Sequence, residues 1–274
     1  MSTDSLDAYH KHLSDIYDER SVNHNNSEWH QETALKLVEE MPPQIGSTVL
    51  DIGTGTGFIA FHAATLVGSK GKVIGVDISE GMLNKAKEKL EKIDLANINF
   101  IAGDMEHLNL PQNSIDYMYC ASAFFCVLNP LKTLKHWNNL LTAKGSIALH
   151  ALPVTSYFWV SLARDILKGH GIQYLLNTPT ATIEKTRIHL KSAGFNKIEI
   201  RKEERGYYIP WERARESWIS IDDFAPGQYP HPVYNVPDET MVLCKKEYLA
   251  RLQELTTDKG VWNDDTTYYV YAFK

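Results

Sequence analysis

Residues 49–57 read VLDIGTGTG. An apolar run carrying one acid, Asp51, meets three glycines, Gly53, Gly55 and Gly57, that alternate with threonine. Glycine reaches positive φ without strain and lets a ligand approach the backbone, while the helical pattern that follows, GFIAFHAATLVG, offers free N–H groups at its start. The stretch therefore reads as strand, turn and helix. Outward from it the rhythm repeats in KVIGVDIS and EGMLNKAKEKLEKI, then in the apolar runs INFIAGD, SIDYMYCAS and GSIALHAL, with helical spacing in PLKTLKHWNNLL. Strands alternating with helices pair in parallel through right-handed crossovers, so these five predict an open sheet with helices on both faces. Past His150, YFWVSLARDILKGHG and TIEKTRIHLKSAGF read as helices, the second ended by Gly194, and NKIEIRKEERGYYI and TTYYVYAFK as two final strands. The fold class expected is α/β, a doubly wound, mostly parallel sheet of seven strands.

At 274 residues, 43% of them hydrophobic, the chain can bury a large core as one α/β domain with an elaborated insertion. The net charge of -6 argues against a nucleic-acid partner, which calls for a basic face. The lysines of residues 85–92 alternate with glutamate, as on a solvated helix face. No apolar run is long enough to span a bilayer and the first residues lack a signal-peptide layout, so no membrane partner and a cytoplasmic location are expected. Cys120, Cys126 and Cys244 lack metal-type spacing; they read as reduced thiols, and no metal is expected.

The acid that opens the glycine turn bears on the ligand. A dinucleotide pyrophosphate is held by G-x-G-x-x-G at a helix N-terminus, whereas the spacing here is D-x-G-x-G-x-G, and a negative Asp51 would oppose a phosphate and suit a cation. Asp77 closes the second strand, where a carboxylate can accept two ribose hydroxyls. Asp104 follows the third strand. Taken singly, each acid reads equally well as a turn or cap residue; three in order at successive strand ends carry more weight.

These residues resemble the first motifs of the class I S-adenosylmethionine-dependent methyltransferases of the small-molecule, ubiquinone-biosynthesis-like and natural-product type. The resemblance covers roughly residues 25–274 and includes Trp29-His30, DYMYCASAFFCVL, LLTAKGSIALH with Lys144 where the family usually has proline, and the final GVWNDDTTYYVYAFK. It implies an antiparallel last strand and S-adenosylmethionine as cofactor, released as S-adenosylhomocysteine. It implies cofactor contacts at Asp51, Gly53, Thr54, Gly55, Gly57, Asp77, Ala121 and His30. It also implies Asp104 on the adenine amino group, with Met105 and Ile78 on the two faces of the ring and Tyr17 closing over the site. Residues 1–40 are expected as lid helices, 41–204 as the cofactor-binding core, 205–262 as a substrate-covering insertion and 263–274 as the last core strand.

The partner expected is a largely apolar or aromatic small molecule, methylated on O or N. Phe124, Phe125, Tyr157, Trp211, Trp218, Tyr229 and His231 are the candidate lining residues, since aromatic rings bury large flat areas. His150, near the carboxyl end of the fifth strand, is the candidate base; a strand-end histidine bonded to backbone is the plainer reading. A non-methylating enzyme of the same fold, pericyclic or decarboxylating, and a nicotinamide-dependent oxidoreductase are the competing readings.

Overall fold

A computed structural model of the chain describes residues 3–22, 28–174, 180–218 and 236–274. Two helices, α1 (Thr3–Val22) and α2 (Glu28–Glu40), lead into β1 (Thr48–Ile52), α3 (Phe58–Val67), β2 (Lys72–Asp77), α4 (Glu80–Leu90), β3 (Ile98–Ala102), β4 (Ile115–Cys120), α5 (Pro130–Leu140) and β5 (Leu141–Ala151). Then come α6 (Phe158–Gly169), α7 (Ile183–Ser192), β6 (Lys197–Glu203), β7 (Gly206–Ile209), α8 (Trp211–Ala214), α9 (Asp238–Leu255), β8 (Val261–Asp264) and β9 (Thr267–Phe273).

The main sheet has the order β3-β2-β1-β4-β5-β9-β6, and only β9 runs against its neighbours. Side chains alternate faces along each strand, as a pleat dictates. Leu50, Met118, Ile147 and Val270 enter a core covered by α5 and α7, whereas Val49, Tyr119, Ala148 and Tyr269 enter one covered by α2, α3 and α4. Local chemistry sets the helix ends. Ser79 accepts the Met82 N–H (3.0 Å), Asn129 accepts that of Lys132 (3.1 Å) ahead of Pro130, and Thr182 accepts that of Lys185 (3.1 Å). Gly194 follows α7 with φ of 98°, the C-terminal cap expected of it.

Two expectations change. NKIEIRKEERGYYI is two strands: β6 stays in the main sheet, and β7, after a break at Glu204–Arg205, pairs with β8 as a separate ribbon. The final segment divides likewise at Asp265–Thr266. The ribbon belongs to a third apolar cluster that joins Val160, Ile166 and Leu167 of α6 to Trp218, Cys244, Tyr248 and Val261. Helix α6 thus turns its apolar face to residues of the 205–262 segment. Among the described residues, no helix is long and apolar enough to cross a membrane.

The switch in strand order falls between β1 and β4, where the chain leaves β1 on one side and β4 on the other. Open α/β sheets bind ligands at such a point, beyond the carboxyl ends of the strands.

Candidate active site

A cavity of about 1110 Å³ lies at that switch. Its floor is the glycine turn, in which each glycine has its own task. Gly53 (φ 66°) sits so close to Ala123 that a Cβ would come within 2.6 Å of it, and Gly57 (φ 91°) is pressed against the Phe61 ring at the same distance. Gly55 (φ 53°) has nothing within 4 Å of where a Cβ would point. Gly53 and Gly55 line the cavity while Gly57 is taken up by packing, a correction to its expected cofactor contact.

Three of the turn's N–H groups are already engaged. Those of Thr54 and Gly57 donate to Val76 O and Thr54 O (both 2.9 Å), and that of Gly55 to the Asp77 carboxylate (2.8 Å). Asp51, only 1% exposed, accepts from the Thr54 hydroxyl (2.5 Å) and from the Ala60 N–H (3.1 Å) in the first turn of α3. Burial raises the Asp51 carboxyl to about 7, and burial also raises that of Asp77, whose second oxygen accepts the Ser79 N–H (2.9 Å). The turn that would cradle a phosphate is occupied by two carboxylates.

Helix α1 forms the roof. Asp18 accepts from the Ser79 hydroxyl (2.5 Å) and the Gly81 N–H (2.8 Å), which ties α1 to the start of α4. Ser14 donates to Ile78 O (3.2 Å), and the Tyr9 hydroxyl donates to Cys126 O. Thus secured, α1 contributes His12, Leu13, Tyr17 and Arg20 to the cavity wall.

Of the expected cofactor residues, Asp51, Gly53, Thr54, Gly55, Asp77, Ile78, Met105, Ala121, His30 and Tyr17 all line this one cavity. Asp104 does not. Its carboxylate is drawn to the His107 ring (2.5 Å), the Glu106 N–H (2.8 Å) and His10 on α1 (3.5 Å), while the adjacent Gly103 and Met105 face the cavity.

The expected acceptor residues divide further. Phe125 and Tyr157 line the cavity. Phe124 is instead buried against Trp137 (ring centroids 5.7 Å apart), Trp218 against Tyr248 (5.1 Å), and Trp211 packs on the third cluster, so all three stabilise structure. Tyr229 and His231 lie outside the described residues. Trp29, Trp159, Tyr207, Ser122 and Asp265 line the cavity as well, and of these nothing in the sequence marked Asp265.

His150 is 2% exposed and sits behind the cavity wall, not on it. Its Nδ1 meets the Ser122 hydroxyl (3.1 Å) and its Nε2 the Thr267 hydroxyl. Thr267 gives its own proton to Ala151 O (3.2 Å), so His150 donates from Nε2 and accepts from Ser122 at Nδ1. Burial holds the ring neutral, its pKa lowered to about 3. Contrary to the expectation of a base facing the acceptor, His150 orients Ser122, a cavity residue held at a φ of 51°.

Residues 44–156 match a family model described as a methyltransferase domain. The chain is 29% identical over 175 residues to an arsenite methyltransferase of Halobacterium salinarum, covering 62% of this chain and 43% of that protein. It is 30% identical over 143 residues to an aklanonic acid methyltransferase of Streptomyces sp., covering 52% and 65%. It thus spans about half the length of these relatives. A SAM-dependent methyltransferase structure from Aquifex aeolicus superposes with a TM-score of 0.51 at 24% identity over 70% of this chain and 92% of that one. Over residues 44–156 the chain is thus similar to methyltransferase domains, and its seven-stranded sheet has the fold of S-adenosylmethionine-dependent methyltransferases.

Proposed function

We propose that this protein transfers a methyl group from S-adenosylmethionine to an oxygen or nitrogen atom of a largely apolar or aromatic small molecule. The observation that carries the reading is the occupied glycine turn. With the N–H groups of Thr54, Gly55, Gly57 and Ala60 all engaged, two of them by carboxylates, the floor repels a pyrophosphate and suits a cofactor with cationic groups and no phosphate. That disfavours a nicotinamide dinucleotide.

The residues present fit S-adenosylmethionine. Asp51 would face its charged end and Asp77 its ribose, and Ile78 and Met105 would hold the adenine ring. Bound there, the cofactor would supply an electrophilic sulfonium methyl, with S-adenosylhomocysteine as the leaving group when an acceptor lone pair takes that methyl. This chain's part is to hold the acceptor on that line and to exclude water, and α1 and the aromatic wall serve both ends. Cys120 and Cys126 lie close enough to interact and Cys126 faces the cavity, but Cys244 belongs to a separate apolar cluster, and among the described residues no three such ligands gather. A thiophilic metalloid, which thiolate clusters bind, is therefore a poor acceptor here.

Purified protein incubated with methyl-labelled S-adenosylmethionine and a panel of aromatic alcohols, phenols and amines tests the reading. Label in an acceptor product supports it. Tight binding of S-adenosylhomocysteine with no label in any product would favour a non-methylating enzyme of this fold.

A further inference from the structure

The cavity extends well beyond the cofactor residues. Because β9 runs antiparallel, its start lies on the same edge as the ends of the parallel strands, and the strand order places Asp77, Asp51, Ser122, Leu152 and Asp265 in sequence along that edge. From β2 to β9 is four strand spacings, roughly 19 Å. Asp77 and Asp51 belong to the glycine turn at one end. Asp265 faces the same cavity from the other.

Asp265 is 9% exposed, and the field of Arg205 and the Tyr157 hydrogen bond only partly offset the cost of burying its charge. The backbone holds it in place: its N–H donates to Arg205 O (2.9 Å), and the Asp264 carboxylate accepts the Thr266 N–H (2.9 Å). The carboxyl is hydrogen-bonded to the Tyr157 phenol, which satisfies part of its accepting capacity. Arg205, whose field reaches Asp265, also pairs with Glu203, which it shares with Lys36. Burial raises the Asp265 pKa despite the field of Arg205.

The rings nearby are positioned as firmly. Tyr157 is held at a φ of 63°, with its N–H donating to Asp264 O (2.7 Å) and its ring stacked on Trp159 (4.6 Å, 23°). Phe125 and Tyr207 complete this aromatic wall. A nearly dry carboxylate beside aromatic faces is a receptor for organic cations, since both the charge and the ring quadrupoles attract a positive group.

We infer that Asp265 is the recognition point for the acceptor, pairing with a basic nitrogen while Tyr157, Trp159, Phe125 and Tyr207 pack around the adjoining apolar body. The acceptor class is then an aromatic or apolar amine. This rests on the methyltransferase reading, because it assigns the glycine-turn half of the cavity to the cofactor.

The experiment is calorimetric titration of the full chain, first with S-adenosylhomocysteine, then, at saturation with it, with matched probes: 2-phenylethylamine and tryptamine, the alcohols 2-phenylethanol and tryptophol, and the acids phenylacetate and indole-3-acetate. The amines are expected to bind at least tenfold more tightly than the alcohols, and the acids more weakly still. Asp265→Asn, which retains an acceptor for Tyr157, is expected to erase the preference for amines and leave S-adenosylhomocysteine affinity unchanged. Equal or better binding of the alcohols or acids by the unaltered protein, no binding of either amine, or an amine preference that survives in Asp265→Asn would overturn the assignment. Failure of S-adenosylhomocysteine itself to bind would instead remove the methyltransferase reading beneath it.

Discussion

Asp51 serves two opposed demands. Its raised pKa makes the ionised form costly in the unliganded fold, so between about pH 4 and pH 7 the unfolded chain holds fewer protons at this site, and the contribution of Asp51 to stability falls as pH rises. The whole shift corresponds to up to about 4 kcal/mol. His150 has the opposite sign, because its lowered pKa leaves the folded state with fewer protons between about pH 3 and 6.5, where its contribution rises with pH. Asp51→Asn should therefore raise the melting temperature of the unliganded protein near pH 7, with a gain that shrinks toward pH 4, and should weaken S-adenosylhomocysteine binding. A gain of equal size at pH 4 and pH 7 would show that Asp51 is not the titrating group. For Asp77→Ala, loss of charge-assisted bonds to the ribose should reduce cofactor affinity by on the order of 1.5–3 kcal/mol per bond; unchanged affinity in a calorimetric titration would displace the ribose from this position. His150→Ala should slow turnover through a disordered Ser122 while leaving cofactor affinity intact. No inflection near pH 6.5 is expected in the wild-type rate profile, and one that disappeared in the variant would restore His150 as the base.

At the scale of the element, the polar contacts of α1 make a prediction of their own. Asp18→Ala removes the acceptor for the Ser79 hydroxyl and the Gly81 N–H at the start of α4. Loss of such contacts at a helix start costs roughly 1 kcal/mol. If α1 serves as the roof, cofactor affinity should fall as well, although Asp18 is not among the cavity residues; a lower melting temperature with unchanged affinity would make α1 merely an outer layer. The strand-turn-helix units were legible in the sequence because period and punctuation are local, as the glycine turn and the Ser79, Asn129 and Thr182 caps show. What arrives from far along the chain was not. Asp104 sits at the strand end where the pattern puts it, yet His10, from a helix some ninety residues earlier, helps turn its carboxylate away. Aromatic content identified a wall of rings without separating Phe125, which lines the cavity, from Phe124 beside it, which packs on Trp137.

At the scale of the whole molecule, one edge of one sheet carries both halves of the site. The glycine turn and two acids lie on the β1 and β2 side of the strand-order switch, and the aromatic wall with Asp265 lies toward β9. Alternation of strands and helices implies a parallel sheet that binds ligands beyond its carboxyl ends, so the cofactor half could be read from sequence. Asp265 belongs to a break between β8 and β9 that looked like continuous strand, and its position in the cavity depends on β9 entering antiparallel between β5 and β6. If the occupied glycine turn selects a phosphate-free cationic cofactor, calorimetric titration of the purified protein will show saturable one-to-one binding of S-adenosylmethionine and, in a separate titration, none of NAD. NAD binding with no response to S-adenosylmethionine would rule that selection out.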